Sequence, residues 1–165
     1  LEYFHVILVR CELAYMLVSV MPYSLNAHDK RLLHTSLQKK GLRSTKQRAS
    51  VYEVILSKRD HPTADDILIR VRKNLPTISL ATVYNCLETL VECGLVRQVN
   101  LDRSSTRFCP NLTPHAHFKC SETGEIFDLS LDSDSVRNLQ SILPSGFKSE
   151  NFELSFLGTV NPISN

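Results

Sequence analysis

Apolar side chains recur at helical spacing between residues 27 and 94 and predict four helices. The first is short and ends at Gly41, because glycine commonly terminates a helix. The second begins after Ser44 or Thr45 and the third after Thr63, since hydroxyl side chains accept hydrogen bonds from the free N–H groups of a helix start. The N-terminal half is therefore expected to be helical.

The fourth helix is expected from Leu80 to Cys93, with Ser79 as its cap and Gly94 as its end. Its apolar stripe consists of Leu80, Val83, Leu87, Leu90 and Val91. Its opposite face carries Thr82, Asn85, Cys86 and Thr89. A short, polar, uncharged face suits a helix that lies in a DNA groove, although any surface helix could carry it.

Two short extended segments follow, at residues 95–100 and 106–108, and bracket a polar turn that contains Arg103. They predict a hairpin with a basic tip. Three helices followed by such a hairpin make a winged helix, a variant of the helix-turn-helix fold that reads DNA.

The second half predicts a strand, a turn at residues 122–124, a second strand, a helix capped by Asp132 or Ser133, and a last strand. The helix is expected to bury Val136, Leu139, Ile142 and Leu143, and the last strand to point Phe152, Leu154 and Phe156 inward. This β-β-α-β order spans about 50 residues, which is small for an independent core. Pairing with a second copy would stabilise it, and the chain as a whole is predicted to be α+β.

Candidate chemistry lies in the first of these strands. His115 and His117 stand two residues apart, so both imidazoles leave the same face of the strand. Cys109 lies six residues upstream, and a carboxylate follows across the turn. Sulfur, imidazole and carboxylate together suit a divalent metal such as zinc or iron. The alternative is a surface strand that merely carries two histidines.

The net charge of +2 conceals an asymmetry along the 165 residues. Residues 27–107 carry 15 Lys/Arg and 8 Asp/Glu, a balance of +7, whereas residues 108–165 carry 3 and 7, a balance of −4. A hydrophobic fraction of 42% is enough for a buried core. A basic first half joined to an acidic second half predicts a module that binds a polyanion and a module with another task.

The five cysteines form no CxxC pair, which argues against a secreted disulfide scaffold and favours a reducing cytoplasm. The apolar stretch at residues 1–22 is interrupted by Glu2, Arg10 and Glu12, so neither a membrane span nor a signal peptide is expected. Because the chain begins with Leu and Met21 precedes ordinary domain sequence, residues 1–26 are interpreted as a doubtful extension from a start site placed too far upstream.

Four ordered motifs together resemble the ferric uptake regulator family of metal-dependent bacterial repressors. They are GLRSTKQR at 41–48, HPTADD at 61–66, ISLATVYN at 78–85 and HAHFKC at 115–120. The resemblance implies a homodimer on a palindromic DNA operator and a regulatory divalent metal where two domains meet. The winged helix would then span residues 27–110, the dimerisation and metal-sensing domain 111–160, and a tail 161–165.

In the peroxide-sensing branch of this family, the matching metal ligands would be His61, His115, His117 and Asp128, and Asn85 also resembles that branch. The fifth ligand position holds Cys109 where that branch has Asp. A thiolate there resembles some zinc-sensing members and favours zinc, while the remaining ligands favour iron or manganese with peroxide sensing. The alternative is that Cys109 only packs beside the hinge.

The resemblance also implies a DNA interface. Phosphates would contact Lys46, Arg48 and Arg103, bases would face Thr82, Tyr84 and Asn85, and Ser79 is assigned to the same surface. In many members, two CxxC pairs hold a structural zinc. That zinc is not expected here, because Thr123 stands where the second cysteine of the pair beginning at Cys120 would be, and residues 130–165 contain no cysteine. The competing hypothesis is a zinc hydrolase that uses Cys109, His115 and His117.

Overall fold

The structure is a computed structural model that describes residues 24–101 and 105–160. The predicted extension lies outside these residues except for 24–26, and Arg103 and the tail lie outside them entirely. The first part contains α1 (Ala27–Lys39), α2 (Lys46–Ser57), α3 (Ala64–Val71), α4 (Leu80–Glu92), β1 (Arg97–Val99) and β2 (Arg107–Cys109). The second contains β3 (His115–Cys120), β4 (Ile126–Ser130), α5 (Ser133–Ser141) and β5 (Ser155–Gly158). The predicted α+β class, a winged helix followed by a β-β-α-β unit, is confirmed.

The helices begin where the sequence supplies side-chain acceptors. Thr45, rather than Ser44, caps α2 by accepting from the Arg48 N–H. Thr63 and Asp66 form a reciprocal capping box at the start of α3, which fixes the direction in which the chain enters that helix. Asn26 caps α1, a start signal that the sequence interpretation had placed in the doubtful extension.

The main core lies in the winged helix, where α2, α3 and α4 pack against one another. Its fully buried side chains include Leu37, Val51, Ile55, Ile67, Val71, Val83 and Leu90. Leu25 is also buried there, so the chain joins this core two residues before α1 begins. This rigid block carries both the candidate DNA-binding helix and the loop that reaches the second domain.

Two small sheets connect the core to that second domain. In the antiparallel hairpin of β1 and β2, Arg97 lies opposite Cys109, and an isolated bridge joins Arg107 to Thr63. The second sheet has the order β4-β3-β5, with β4 antiparallel and β5 parallel to β3. The turn between β3 and β4 is closed by a bond from the Gly124 N–H to the Cys120 carbonyl. Gly124 has φ of 71°, a conformation that glycine adopts without strain.

The prediction that apolar side chains of the second domain are buried is wrong for the single chain. Val136 and Leu139 of α5 are only half-buried, and Ile142 is 76% exposed. Phe156 in β5 is 48% exposed, and Phe152 and Leu154 precede that strand and are half-buried. One short helix over three short strands offers too little surface to cover these side chains. Cys120 is buried.

None of the helices in the described part of the chain has both the length and the apolar character needed to cross a membrane.

Two isoleucines of α3 test the core. Ile67 is 0% exposed and Ile69 is 65% exposed. We expect Ile67→Ala to lower the free energy of unfolding by about 2–5 kcal/mol, because the truncation leaves a cavity. Ile69→Ala, the matched control, should change it by less than about 0.5 kcal/mol. Chemical denaturation followed by circular dichroism measures both, and equal losses would contradict this assignment of the core.

Candidate metal centre

His61 lies in the loop between α2 and α3, and its neighbours hold it firmly. The preceding Asp60 accepts two hydrogen bonds from the Arg70 guanidinium, at 2.9 and 2.6 Å, and pairs with Lys58 at 2.9 Å. His61 itself has φ of 51°, the one positive value at a non-glycine position among the described residues. This left-handed conformation is uncommon for a residue with a Cβ and indicates that surrounding contacts impose it.

The other candidate ligands come from three strands. Cys109 ends β2, and His115 and His117 leave one face of β3, as the spacing predicted. In the antiparallel register His117 lies opposite Asp128 of β4, which places the carboxylate beside the imidazoles. The hairpin between β3 and β4 therefore brings together His117 and Asp128, which are eleven residues apart in the sequence.

The other four predicted ligands converge on the Asp128 carboxylate. Its Oδ1 atom lies 2.8 Å from Nε2 of His61 and 3.6 Å from Nε2 of both His115 and His117. The Cys109 Sγ lies 3.9 Å from the same oxygen and 3.6 Å from Nε2 of His115. One ligand atom each from His61, Cys109, His117 and Asp128 lies within 4.8 Å of the others. We call these five residues the Asp128 cluster.

The Asp128 cluster is largely closed to solvent. His61, His115 and Cys109 are buried, and the side chains of His117 and Asp128 are 12% and 24% exposed. Burial, together with repulsion from His115 and His61, lowers the pKa of His117 to about 4. Burial also lowers the pKa of His61, against the opposing pull of Asp128. These two imidazoles are therefore uncharged near neutral pH, the form in which imidazole binds a metal.

The two acidic groups of the Asp128 cluster, Asp128 and Cys109, differ in the direction in which their pKa values are shifted. Burial opposes ionisation of Asp128, yet a hydrogen bond from Asn111 and the nearby imidazoles hold the pKa of that carboxyl below its usual range. Burial raises the pKa of the Cys109 thiol to about 11. The thiol is therefore protonated without a cation nearby, and a metal bound to its sulfur would displace that proton.

Two residues that the sequence interpretation missed orient the ligands. Nδ1 of His115 lies 2.7 Å from the Thr113 carbonyl, so it donates there and Nε2 presents its lone pair to the cluster. Asn111 donates through Nδ2 to Asp128 Oδ2 at 3.0 Å and through its backbone N–H to the Cys109 sulfur at 3.3 Å. Their only signal in the sequence is their position between Cys109 and His115.

The cluster fits a divalent cation. Three imidazoles, one carboxylate and one thiol supply nitrogen, oxygen and sulfur donors of the kind that zinc and iron take. Atoms that bind zinc at 2.0–2.3 Å lie roughly 3.3–3.8 Å from one another in tetrahedral geometry, and several of the measured separations fall near that range. Nδ1 of His61 is buried without a hydrogen-bond partner among the described residues, so that ring has a free nitrogen as well.

The predicted DNA-binding residues lie apart from this cluster, at the start of α2 and along α4. Lys46 and Asn85 are exposed, and Tyr84 is 51% exposed. Cys86 and Thr89, which were assigned to the polar face of α4, are instead buried against α2. The face open to solvent is therefore narrower than expected. Arg103 lies outside the described residues.

Two other residues of this predicted DNA interface, Arg48 and Ser79, make hydrogen bonds within the domain. Arg48 donates to the Arg43 carbonyl at 2.7 Å and to the Thr89 hydroxyl at 3.5 Å, so it links α2 to α4. Ser79 caps α4 and its hydroxyl contacts that of Thr82 at 2.8 Å. Both Arg48 and Ser79 therefore have roles within the domain.

Comparison with known proteins adds the family. Residues 39–157 match the model of the ferric uptake regulator family. The chain belongs to this family. A match of this length includes both domains and all five residues of the Asp128 cluster, and the resemblance stated from the motifs is confirmed.

Two regulators and one solved structure are similar to this family member. It is 33% identical to the peroxide operon regulator of Bacillus subtilis over 139 residues, which cover 84% of this chain and 95% of that protein. It is 39% identical to a peroxide-responsive repressor of Staphylococcus epidermidis over 93 residues, which cover 56% of this chain and 62% of that protein. The crystal structure of the Campylobacter jejuni peroxide stress regulator matches with a TM-score of 0.64 and 32% identity, covering 79% of this chain and 97% of that one.

The family is one of transcriptional regulators, so the predicted class of function, a metal-responsive regulator of transcription, is confirmed at that level. The same finding counts against the zinc hydrolase hypothesis.

The lowered pKa of His117 predicts a pH dependence of stability in a chelator. Between about pH 4 and the ordinary pKa of 6.5, the unfolded chain binds the proton and the folded chain does not. The free energy of unfolding should therefore fall as the pH falls through this window, by at most about 1.4 kcal/mol per pH unit for this group.

Urea denaturation at intervals from pH 7.5 to 4.5 measures this slope. His117→Gln should give a shallower slope than the wild type, whereas His34→Gln, on the exposed surface of α1, should reproduce the wild-type profile. Identical slopes in His117→Gln and the wild type would show that this imidazole is not the group that resists protonation.

Proposed function

We propose that this chain is a repressor that binds a palindromic DNA operator as a homodimer when one regulatory divalent metal per chain occupies the Asp128 cluster. The observation that carries the proposal is the 2.8 Å contact between His61 of the winged helix and Asp128 of the second domain. Donors from both domains meet there, so occupancy of the cluster and the relative position of the domains are coupled. As a DNA regulator it would act in the cytoplasm.

In this proposal, His61 and Cys109 present donors from the winged helix, and His115, His117 and Asp128 present donors from the second domain. A bound divalent cation supplies the positive charge that draws these donors together. The arrangement with all five donors gathered would bind the ion more tightly than an arrangement in which His61 has moved away. That difference in affinity shifts the population toward the DNA-competent arrangement.

The DNA surface in this proposal is the exposed side of α4 and the start of α2. Tyr84 and Asn85 project from α4, where they would meet base edges, and Thr82 lies beside them. Lys46 at the start of α2 would contact phosphate. Arg48 would act mainly as the link that holds α2 and α4 at a fixed angle, because its guanidinium is already hydrogen-bonded within the domain.

The second copy would cover the apolar surface that the second domain exposes. That surface includes Phe127, Leu129 and Phe156, which leave one face of the sheet and are 43%, 40% and 48% exposed. Exposed apolar side chains that share one face favour an interaction surface there. A two-fold dimer through it would present two α4 helices to two half-sites of a palindrome.

Cys109 supports zinc as the regulatory metal, because thiolate is a soft ligand that zinc accepts well. The second candidate is iron(II) with peroxide sensing, which the names of the two curated relatives and the His115–His117 pair favour. In that case oxidation of an iron-binding histidine would weaken binding to DNA. The two candidates share one site and differ in the metal that it holds.

His61→Ala tests the joining of the domains. The wild type should bind operator DNA about 5–150-fold more tightly with zinc or manganese than with a chelator, the usual range of coupling between two sites. In His61→Ala this difference should disappear, because the winged helix then supplies one donor fewer across the junction. His34→Ala, on the exposed surface of the same domain, should retain it. Electrophoretic mobility shift with and without chelator measures each case, and full metal dependence in His61→Ala would refute the proposal.

Cys109→Asp tests the choice of metal. Replacing thiol by carboxylate removes the one soft donor of the Asp128 cluster, so the ratio of zinc affinity to manganese affinity should fall. Cys120→Ala, which removes a buried thiol of β3 outside the cluster, should leave the ratio unchanged. Competition titrations with a fluorescent chelator give both affinities, and an unchanged ratio in Cys109→Asp would show that Cys109 packs beside the site without binding the metal.

A further inference from the structure

Arg107 connects the winged hairpin to the loop that carries His61. It begins β2, two residues before Cys109, so the side chains of Arg107 and Cys109 leave the same face of that strand. The guanidinium Nη1 donates to the His61 carbonyl at 3.0 Å. The same strand therefore supplies one candidate ligand and contacts the backbone of another.

The loop that carries His61 is hydrogen-bonded to β2 through consecutive residues. The Phe108 N–H donates to the Pro62 carbonyl at 3.0 Å, and Thr63 forms a bridge with Arg107. The His61 carbonyl is held by a side chain instead, and His61 is the residue with positive φ. Left-handed backbone at a non-glycine residue costs about 1–3 kcal/mol and persists where surrounding contacts enforce it.

The position of Arg107 is unfavourable for an arginine with no other role. Its Nε is buried and has no hydrogen-bond partner among the described residues, and an unsatisfied buried donor is destabilising. Its charge lies near the N-terminus of α3, where a cation opposes the helix dipole. Asp66 offsets part of that charge, since the hydrogen bonds from Thr63 and then the fields of Arg70 and Arg107 lower the pKa of the Asp66 carboxyl.

We infer that Arg107 is a positioning residue that holds the His61 backbone in its left-handed conformation and so aims the imidazole across the domain junction at Asp128. The inference rests on the proposed function, because the aim matters only if His61 serves the metal site. No described contact places Arg107 in the Asp128 cluster itself, so it acts through His61. Motion of β2 would displace Cys109 and His61 together.

A double-mutant cycle on metal affinity tests this inference. Arg107→Gln should weaken zinc or manganese binding by about tenfold, the lower end of the range for residues that orient ligands. In a His61→Ala background the same substitution should change the affinity by less than about twofold, because the ligand that Arg107 positions is already gone. Competition titration with a fluorescent chelator supplies the four affinities.

Arg97→Gln is the matched control. Arg97 lies on the neighbouring strand β1, opposite Cys109, and its guanidinium also donates to a backbone carbonyl, that of Leu112 at 2.8 Å. Whatever its own effect, it should be the same in the wild-type and the His61→Ala backgrounds, because no described contact joins Arg97 to His61. We therefore expect the effect of Arg97→Gln on metal affinity to be unchanged by His61→Ala, and the effect of Arg107→Gln to disappear in that background.

A second variant guards against misfolding. Arg107→Lys keeps the charge and an N–H donor on a long side chain, so its metal affinity should stay within about threefold of the wild type. Circular dichroism in a chelator verifies that each variant is folded before titration, and Arg107→Met takes the place of Arg107→Gln throughout the cycle if Arg107→Gln is unfolded.

The inference is overturned if Arg107→Gln weakens binding equally with and without His61, or if Arg107→Lys loses as much affinity as Arg107→Gln does. A wild type that binds neither zinc nor manganese would instead refute the proposed function. The two failures are therefore distinguishable.

Discussion

One carboxylate, that of Asp128, meets donors from two domains, and the rest of the structure serves to bring them to it. Its Oδ1 lies within 3.9 Å of three imidazole nitrogens and one sulfur. Burial keeps His61 and His117 uncharged and the Cys109 thiol protonated. Such a set of donors is poorly solvated without a cation and well matched to one. The proposed regulation by a metal rests on this balance.

The two domains contribute to the junction in different ways. The winged helix has a closed apolar core, so the loop at His61 starts from a rigid base and is further fixed by Asp60, Arg70 and Arg107. The second domain has no comparable core among its described residues, and α5 has no buried residue. Its side of the junction depends on the β3–β4 register and, in the proposed dimer, on a second copy. Metal binding and dimerisation would then stabilise the same sheet.

Much of the fold followed from local patterns. Thr63 and Ser79 marked helix starts because their hydroxyls can accept from the free N–H groups there, and the hairpin turn required Gly124. His61 and Asp128 were identified by resemblance, since spacing alone joined Cys109, His115, His117 and an unspecified carboxylate after the turn. Thr113 and Arg107 were missed because a bond to a backbone carbonyl leaves no pattern in the sequence, and Asn111 was missed because its bond to Asp128 depends on how the chain folds back. Burial in α5 was wrong because apolar periodicity does not distinguish a side chain in a closed core from one on an exposed apolar surface.

In the proposed mechanism, one metal joins the two domains. Hydrogen–deuterium exchange during titration with zinc, read by mass spectrometry in peptides covering 58–64 and 115–128, would detect this joining. We expect both regions to gain protection together and to reach a plateau at one equivalent per chain. Protection confined to 115–128, with 58–64 unchanged, would contradict the account, because the metal would then bind the second domain without His61.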